Sequence, residues 1–419
     1  MKKLILILVV SFFIQISFSQ WVHTLNGISM WSLGKNLSGH VYAGTSGTIR
    51  SIYKTTNYGT SWDTVLSGGV TNFLFIACDS GNTVCAANGS NGLMKSTNNG
   101  ANWTNISSST FNNKNVQSVV CGKSGYVYVG TITGGIFRST DNGTTFPDNT
   151  LTTLTIVTLA VDKYNSNIIY AGASSGSPPN YGFYRSTDAG TTWSSNLNPL
   201  NIWGIVQKPW GIFTITTSSP YPYDKSTNGG LNWTTVSNLP GAMRGITLDL
   251  PDNYVYTSGN GGVFRSTNDG TSFTNWDLTY SANQIVNVSN RIFVAVSGTT
   301  NGGVYWRSYP LGIKQINNNV PENFALYQNY PNPFNPNTKI RFSLPSPSEG
   351  GVQAVKLVIY DVLGREVTSL IPPLWGGKEG LQPGTYEAEW DASYYPSGVY
   401  FYQLTAGDFT DTKKMILLR

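Results

Sequence analysis

Glutamate is missing from most of this chain. None occurs between Gln20 and Pro321, and the first after that is Glu322. Carboxylate chemistry before that point therefore falls to aspartate alone. Charge of either sign is sparse: Asp, Glu, Lys and Arg make up 11% of the residues, and the net charge is +5. The basic residues come singly rather than in a patch, which excludes a nucleic-acid surface, because phosphate binding needs concentrated cations. Only two histidines are present, His23 and His40, with no ligand spacing around them, so neither a metal nor a cofactor is expected. Three cysteines, Cys78, Cys85 and Cys121, leave at least one thiol unpaired. Cys78 and Cys85 flank the segment DSGN and either bridge a hairpin or stay free and buried. Past residue 19 no apolar run approaches the ~20 residues of a membrane helix, so no transmembrane segment is expected in the mature chain.

What is abundant is Gly, Ser, Thr, Asn and aromatic side chain, the last at 13%. That composition suits a turn-rich, exported all-β protein. Residues 1–19 fit the export reading: Lys2 and Lys3, the apolar run Leu4 to Phe13, then Ser17 and Ser19 before a cut ahead of Gln20. This is the layout of a secretory signal peptide.

The rest of the chain is organised around a nine-residue box, RSTDNGTTF at 138–146. It returns as KTTNYGTSW (54–62), KSTNNGANW (95–103), RSTDAGTTW (185–193), KSTNGGLNW (225–233) and RSTNDGTSF (265–273). The spacing of 40 to 47 residues is that of a repeat architecture with one supersecondary unit per repeat. Asn57, Asn98, Asp141, Asp188, Asn228 and Asn268 can close an Asx-turn through the side-chain oxygen. Gly59, Gly100, Gly143, Gly190, Gly230 and Gly270 supply φ > 0, and the closing aromatic folds back under the hairpin. Because four of the six positions carry Asn, which cannot transfer a proton, the box is read as a structural staple.

These stretches resemble the Asp-box, or BNR, repeat of the sialidase and sortilin-like superfamily, with its S-x-D-x-G-x-T-W pattern. The resemblance implies a β-propeller in which the box joins the third and fourth strands of a blade, away from the ligand face. The surrounding pattern agrees. Second-strand motifs such as VYAGT (41–45), VYVGT (127–131) and IYAGA (169–173) precede third strands such as GGIFRST (134–140), and a fourth follows each box. A seventh repeat, IFVAV (292–296) and GGVYWRS (302–308), ends without a box. QWVHTLN (20–26) matches its missing fourth strand. The expectation is an all-β chain: a seven-bladed propeller over 20–309, closed by the N-terminus, then a linker at 310–322.

Residues 323–419 alternate apolar and polar residues in about seven strands, the pattern of a small immunoglobulin-like β-sandwich. They resemble the type A C-terminal sorting domain of type IX secretion cargo through YPNPFNP, IYDVLGREV, WDA, SGVYFYQL and KKMILLR. That resemblance implies export from a Gram-negative bacterium to its surface or beyond. It makes the type IX machinery a partner and Lys413, Lys414 and Arg419 part of the sorting signal.

The sialidase resemblance implies a Tyr nucleophile activated by Glu and three substrate-clamping arginines. Without glutamate the first is impossible. Arg138, Arg185 and Arg265 open boxes and Arg307 holds the equivalent place, leaving Arg50, Arg244 and Arg291. A sialidase is excluded, and no catalytic residue is assigned. A hydrolase using two propeller aspartates, such as Asp162 and Asp249 at the ends of first strands, stays open as the alternative. The favoured reading is a binding module for an extracellular glycan or peptide. Its candidates are Tyr181, Tyr221 and Tyr223 from the loops at 174–181 and 218–223, with Trp31, Trp203 and Arg244 near the starts of innermost strands.

Overall fold

The computed structural model describes residues 21–418 apart from 37, 48–49, 69–74, 79–81, 123–124, 175–180, 197–200, 209, 250–253, 289–290, 309–312, 318, 347–354, 372–380, 382 and 393–394. The signal segment, most of the 174–181 loop and Arg419 lie outside the described residues. Among them are nine four-stranded antiparallel sheets, and seven of these form one ring. The innermost strands are Met30–Lys35, Phe75–Cys78, Val116–Cys121, Ile156–Val161, Ile202–Lys208, Met243–Leu248 and Ala282–Val288, here sheets 1 to 7. Each packs against the next, and that of sheet 7 packs back on that of sheet 1.

Each sheet is a meander, so the turns between its first two strands and the boxes between its last two fall at one end of the ring. We call that end the turn face. The links between sheets and the loops between second and third strands make the opposite, loop face. Second strands such as Val41–Thr45, Val127–Thr131, Ile169–Ala173 and Val255–Gly259 are buried at every residue, because a neighbouring sheet covers each of their faces. Glycine permits the approach near the axis: a Cβ on Gly130 would stand 2.7 Å from Ile156 Cγ2 of the next sheet.

Sheet 7 takes its fourth strand from the N-terminus. Val22–Thr24 pairs antiparallel with Gly303–Ser308 in the register Val22 to Trp306 and Thr24 to Val304. Two aromatic contacts hold it. His23 stacks on Tyr305 with ring centroids 4.0 Å apart, and the Trp21 indole donates to the Trp276 carbonyl at 2.7 Å. All three cysteines are free thiols, and Cys85 faces Ala77 rather than Cys78 across the hairpin.

The C-terminal unit is two four-stranded sheets around one apolar core containing Phe334, Ile340, Trp390 and Tyr402. Here the structure corrects the linker expected at 310–322. Ile313–Asn317 forms a strand paired with Gly384–Asp391, so it belongs to the sandwich and the connection is correspondingly shorter. The unit meets the turn face of the ring, where Trp210 packs edge to face on Tyr395 at 5.8 Å.

Candidate functional site at the loop face

Six innermost strands carry an irregular register near their loop-face ends. Met30 pairs with Thr45 but Ser32 with Gly44, leaving Trp31 as the extra residue. In the same way Gln117, Val157, Trp203 and Arg244 are the extra residues of sheets 3, 4, 5 and 6, and sheet 7 has Asn283 and Gln284. A bulge re-aims its side chain and leaves it outside the ladder. The residue before each bulge is buried, as with Met30, Ile202 and Met243, whereas Trp31, Trp203 and Arg244 keep partial exposure. The sequence placed these three near strand starts; their common bulge could not be read from it, because a bulge shows only in cross-strand pairing.

The bulged side chains fall into two kinds. Asn283 donates to the Met30 carbonyl at 3.0 Å and Gln284 accepts from Leu33 N–H at 2.8 Å, so both strap sheet 7 to sheet 1. Val157 is buried. The others are available: among the described residues neither Trp31 nor Trp203 makes a hydrogen bond or ring contact, and Arg244 makes one exposed contact, to Asn260 at 3.3 Å. Sheets 5, 6, 7 and 1 adjoin, so Trp203, Arg244 and Trp31 share one arc of the rim.

The tyrosine candidates divide. Tyr181 and Tyr221 are half-buried at the loop-face end, and Tyr221 takes a φ of 61°. Tyr223 is a correction. It is 0% exposed, stacks on Phe213 at 5.4 Å and meets Phe273 edge to face. Burial raises its hydroxyl pKa well above the usual value. The alternation of the third strand, Pro222–Ser226, turns this ring inward, so it is core.

The turn face, by contrast, has its polar groups engaged. In every box the Ser or Thr hydroxyl, as in Ser139, accepts from the Gly143 N–H at 2.8 Å and donates to Asp141 Oδ1 at 2.7 Å. That Oδ1 in turn accepts from Thr145 N–H at 2.9 Å. The turn is thus closed through a hydroxyl relay four residues long rather than by the simple Asx-turn expected. These contacts hold the exposed Asp141 carboxyl far below its usual range and Asp188 at about 2, with the Thr192 hydroxyl and N–H as the leading causes.

Boxes also clasp neighbouring sheets. Lys54 donates to the Asn99 carbonyl at 3.0 Å, Arg138 to Ala189 at 3.0 Å and Lys95 to Thr144 at 3.1 Å. Each is the basic residue opening one box and reaching the next. This role went unread although its signal, a Lys or Arg at the first position of all six boxes, was present.

The aspartates of the alternative reading are consumed in the same way. Asp162 Oδ1 accepts from the Tyr164 and Asn165 N–H groups at 2.8 Å, and its Oδ2 from Tyr170 Oη and Gln207 Nε2. Asp249 accepts from Tyr254 N–H at 2.8 Å and Tyr256 Oη at 2.9 Å. Asp148, Asp269 and Asp277 are ion-paired with Arg138, Lys208 and Arg307. Asp79 and Asp252 lie outside the described residues.

Residues 328–418 match the family described as the secretion system C-terminal sorting domain. The chain carries a type IX sorting domain. The sorting domain marks the protein for the cell surface or for release and makes the secretion machinery its partner. Among the described residues no helix is long and apolar enough to cross a membrane. A stretch covering 39% of the chain aligns at 32% identity with a xyloglucanase from Paenibacillus sp., over 20% of that protein's length. Among solved structures, YCF48 bound to D1 peptide superposes with a TM-score of 0.54 at 15% identity, over 70% of this chain and 97% of that one. PorZ, an essential bacterial surface component of the type-IX secretion system of Porphyromonas gingivalis, gives 0.50 at 14%, over 91% and 58%. At such identities the likeness concerns fold alone, that of a β-propeller.

Proposed function

We propose that the ring is a seven-bladed Asp-box propeller of the sialidase and sortilin-like superfamily, joined to an immunoglobulin-like sorting domain, and that its loop face binds an extracellular polymer without cleaving it. The observation that carries this reading is the arc of bulged side chains, Trp203 and Trp31 without a side-chain partner among the described residues and Arg244 with one exposed contact. Two indole faces with a guanidinium between them suit a glycan strand, which offers apolar ring faces for stacking and polar groups for the cation. Among polymers a glycan is favoured over a peptide by the xyloglucanase relative. Tyr181 and Tyr221 would border the same mouth.

The same relative favours a second reading, hydrolysis. Against it stand Asp162 and Asp249, whose oxygens are taken up by turn N–H groups and tyrosine hydroxyls within their own sheets. A general acid must offer its proton, and a base its lone pair, to substrate. The test is incubation with xyloglucan, followed by assays of retention and of reducing-sugar release. Retention without release is expected. Release that disappears in Asp162→Asn or Asp249→Asn would establish the hydrolase instead.

A further inference from the structure

Two neighbouring turns of the ring reach the sorting domain. Tyr164 lies in the turn between the first two strands of sheet 4, and Trp210 in the corresponding turn of sheet 5. Tyr164 shares a cleft of about 470 Å³ with Leu363, Arg365, Tyr395 and Tyr400 of the sorting domain. The Trp210 ring meets that of Tyr395 edge to face, with centroids 5.8 Å apart. Trp210 also packs against two apolar cores at once. On one side is the cluster of Phe213, Tyr223 and Val255 between sheets 5 and 6, on the other the sorting-domain cluster that holds Trp390 and Tyr402.

The ring fixes this indole from a neighbouring sheet. Its N–H donates to Asp269 Oδ2 at 3.1 Å, and Asp269 belongs to the sixth box, in sheet 6. Lys208 Nζ stands 2.6 Å from the other oxygen and 5.3 Å from the Trp210 ring centroid. Sheets 5 and 6 must therefore be packed together before the indole is held in place. On the far side the contacts continue through the sorting core. Tyr395 meets Trp390 at 5.5 Å, and Trp390 meets Phe334 at 5.4 Å. The Phe334 N–H donates to the Ile416 carbonyl at 3.0 Å, and its carbonyl accepts from the Leu418 N–H at 2.9 Å. The path thus ends on the C-terminal strand, Phe409–Leu417, which carries Lys413 and Lys414.

We propose that Trp210 is the dock of the sorting domain on the ring, and that the dock forms only when Asp269 of sheet 6 holds the indole, so that a docked sorting domain marks a closed ring. A contact made only between folded units adds its free energy to the stability of each. Packed aromatic pairs contribute beyond the area they bury, so the sorting core opens less often while it is docked. The dock lies at the opposite end of the ring from Trp31, Trp203 and Arg244 and is independent of polymer binding.

Hydrogen exchange of the full chain, read peptide by peptide by mass spectrometry, tests this. In Trp210→Ala the sorting-core strand Gly398–Ala406 should exchange about tenfold faster, the effect of losing one packed aromatic contact. Ile169–Ala173 in the ring should exchange as in the native chain. Asp269→Asn should also speed exchange at Gly398–Ala406, by about threefold or more, although its partners Lys208, Trp210 and Lys225 all lie in the ring. Combined with Trp210→Ala it should add nothing there, because residues acting through one contact are not additive. Trp210→Phe keeps an apolar ring without the N–H and should fall between the native chain and Trp210→Ala. It replaces the alanine variant as the test if that variant disturbs Ile169–Ala173. Native exchange at Gly398–Ala406 in the Trp210 variant overturns the dock. Native exchange there in Asp269→Asn, or an equal acceleration by Asp269→Asn with and without Trp210, overturns its dependence on sheet 6.

Discussion

The two faces of the ring are built from the same strands yet differ in how their polar groups are used. At the turn face, the six boxes and the turn aspartates are closed by hydrogen bonds within their own sheets, and the box-opening cations bond from one sheet to the next. At the loop face, the bulges leave the Trp31 and Trp203 side chains without a hydrogen bond among the described residues and Arg244 with one exposed contact to Asn260. A polar group engaged within the fold contributes to stability and is unavailable to a ligand. A side chain held out of the ladder costs little stability when removed and is free to bind. Turn-face substitutions should therefore be read in melting temperature and loop-face substitutions in affinity.

The largest expected effect concerns the closure on which both faces depend. Removing residues 20–27 from the mature chain strips Val22–Thr24 from Gly303–Ser308 and exposes the Tyr305 and Trp276 rings. Thermal denaturation should show a sharply lower melting temperature, since an open sheet edge replaces a closed ring. An unchanged value would mean that the ring is held without its N-terminal strand.

Next comes the buried ion pair beneath the sixth box. Lys208 Nζ lies 2.6 Å from Asp269 Oδ1, with side chains 2% and 13% exposed, and the Trp210 indole donates to the other oxygen at 3.1 Å. Asp269→Asn keeps a residue that tolerates the φ of 58° but leaves a buried ammonium without its counter-charge. Chemical denaturation should show a loss of about 3 kcal/mol with polymer retention intact. A loss of retention instead would place the ligand at the turn face.

The smallest effect sharpens the comparison through pH. Asp188 has its pKa lowered to about 2 in the folded chain, against about 4 unfolded. A depressed value means that its stabilising contribution is fully present above pH 4 and is lost as pH falls towards 2. At pH 7 Asp188→Asn should change stability by no more than about 0.5 kcal/mol. Four natural boxes already use Asn, and in Asn268 the amide donates to Ser272 at 2.8 Å where Asp188 accepts from Thr192. The variant should also lose part of the native chain's decline between pH 4 and 2, as read by melting at several pH values.

The sequence was most informative where a pattern repeats. Six boxes, the VYAGT-type strands and the unpaired seventh repeat were enough to place the N-terminal strand beside 302–308, because each copy constrains the others. It was least informative where partners come from another sheet. The Tyr223 ring, two residues after the exposed-looking Tyr221, is core because Gly270 of the next box lies against it, and nothing in SSPYPY indicates that neighbour. Ile313–Asn317 was read as linker for a similar reason: its partner, Gly384–Asp391, lies some seventy residues on.

The central claim is that the bulged arc binds and does not cut. The direct measurement compares retention on a panel of polysaccharides and peptides, xyloglucan included, for the native chain and the Trp31→Ala, Trp203→Ala double variant. The account predicts a panel member that the native chain retains without releasing products and the variant fails to retain, with melting temperatures that coincide. Equal retention by both chains, at equal stability, would contradict it.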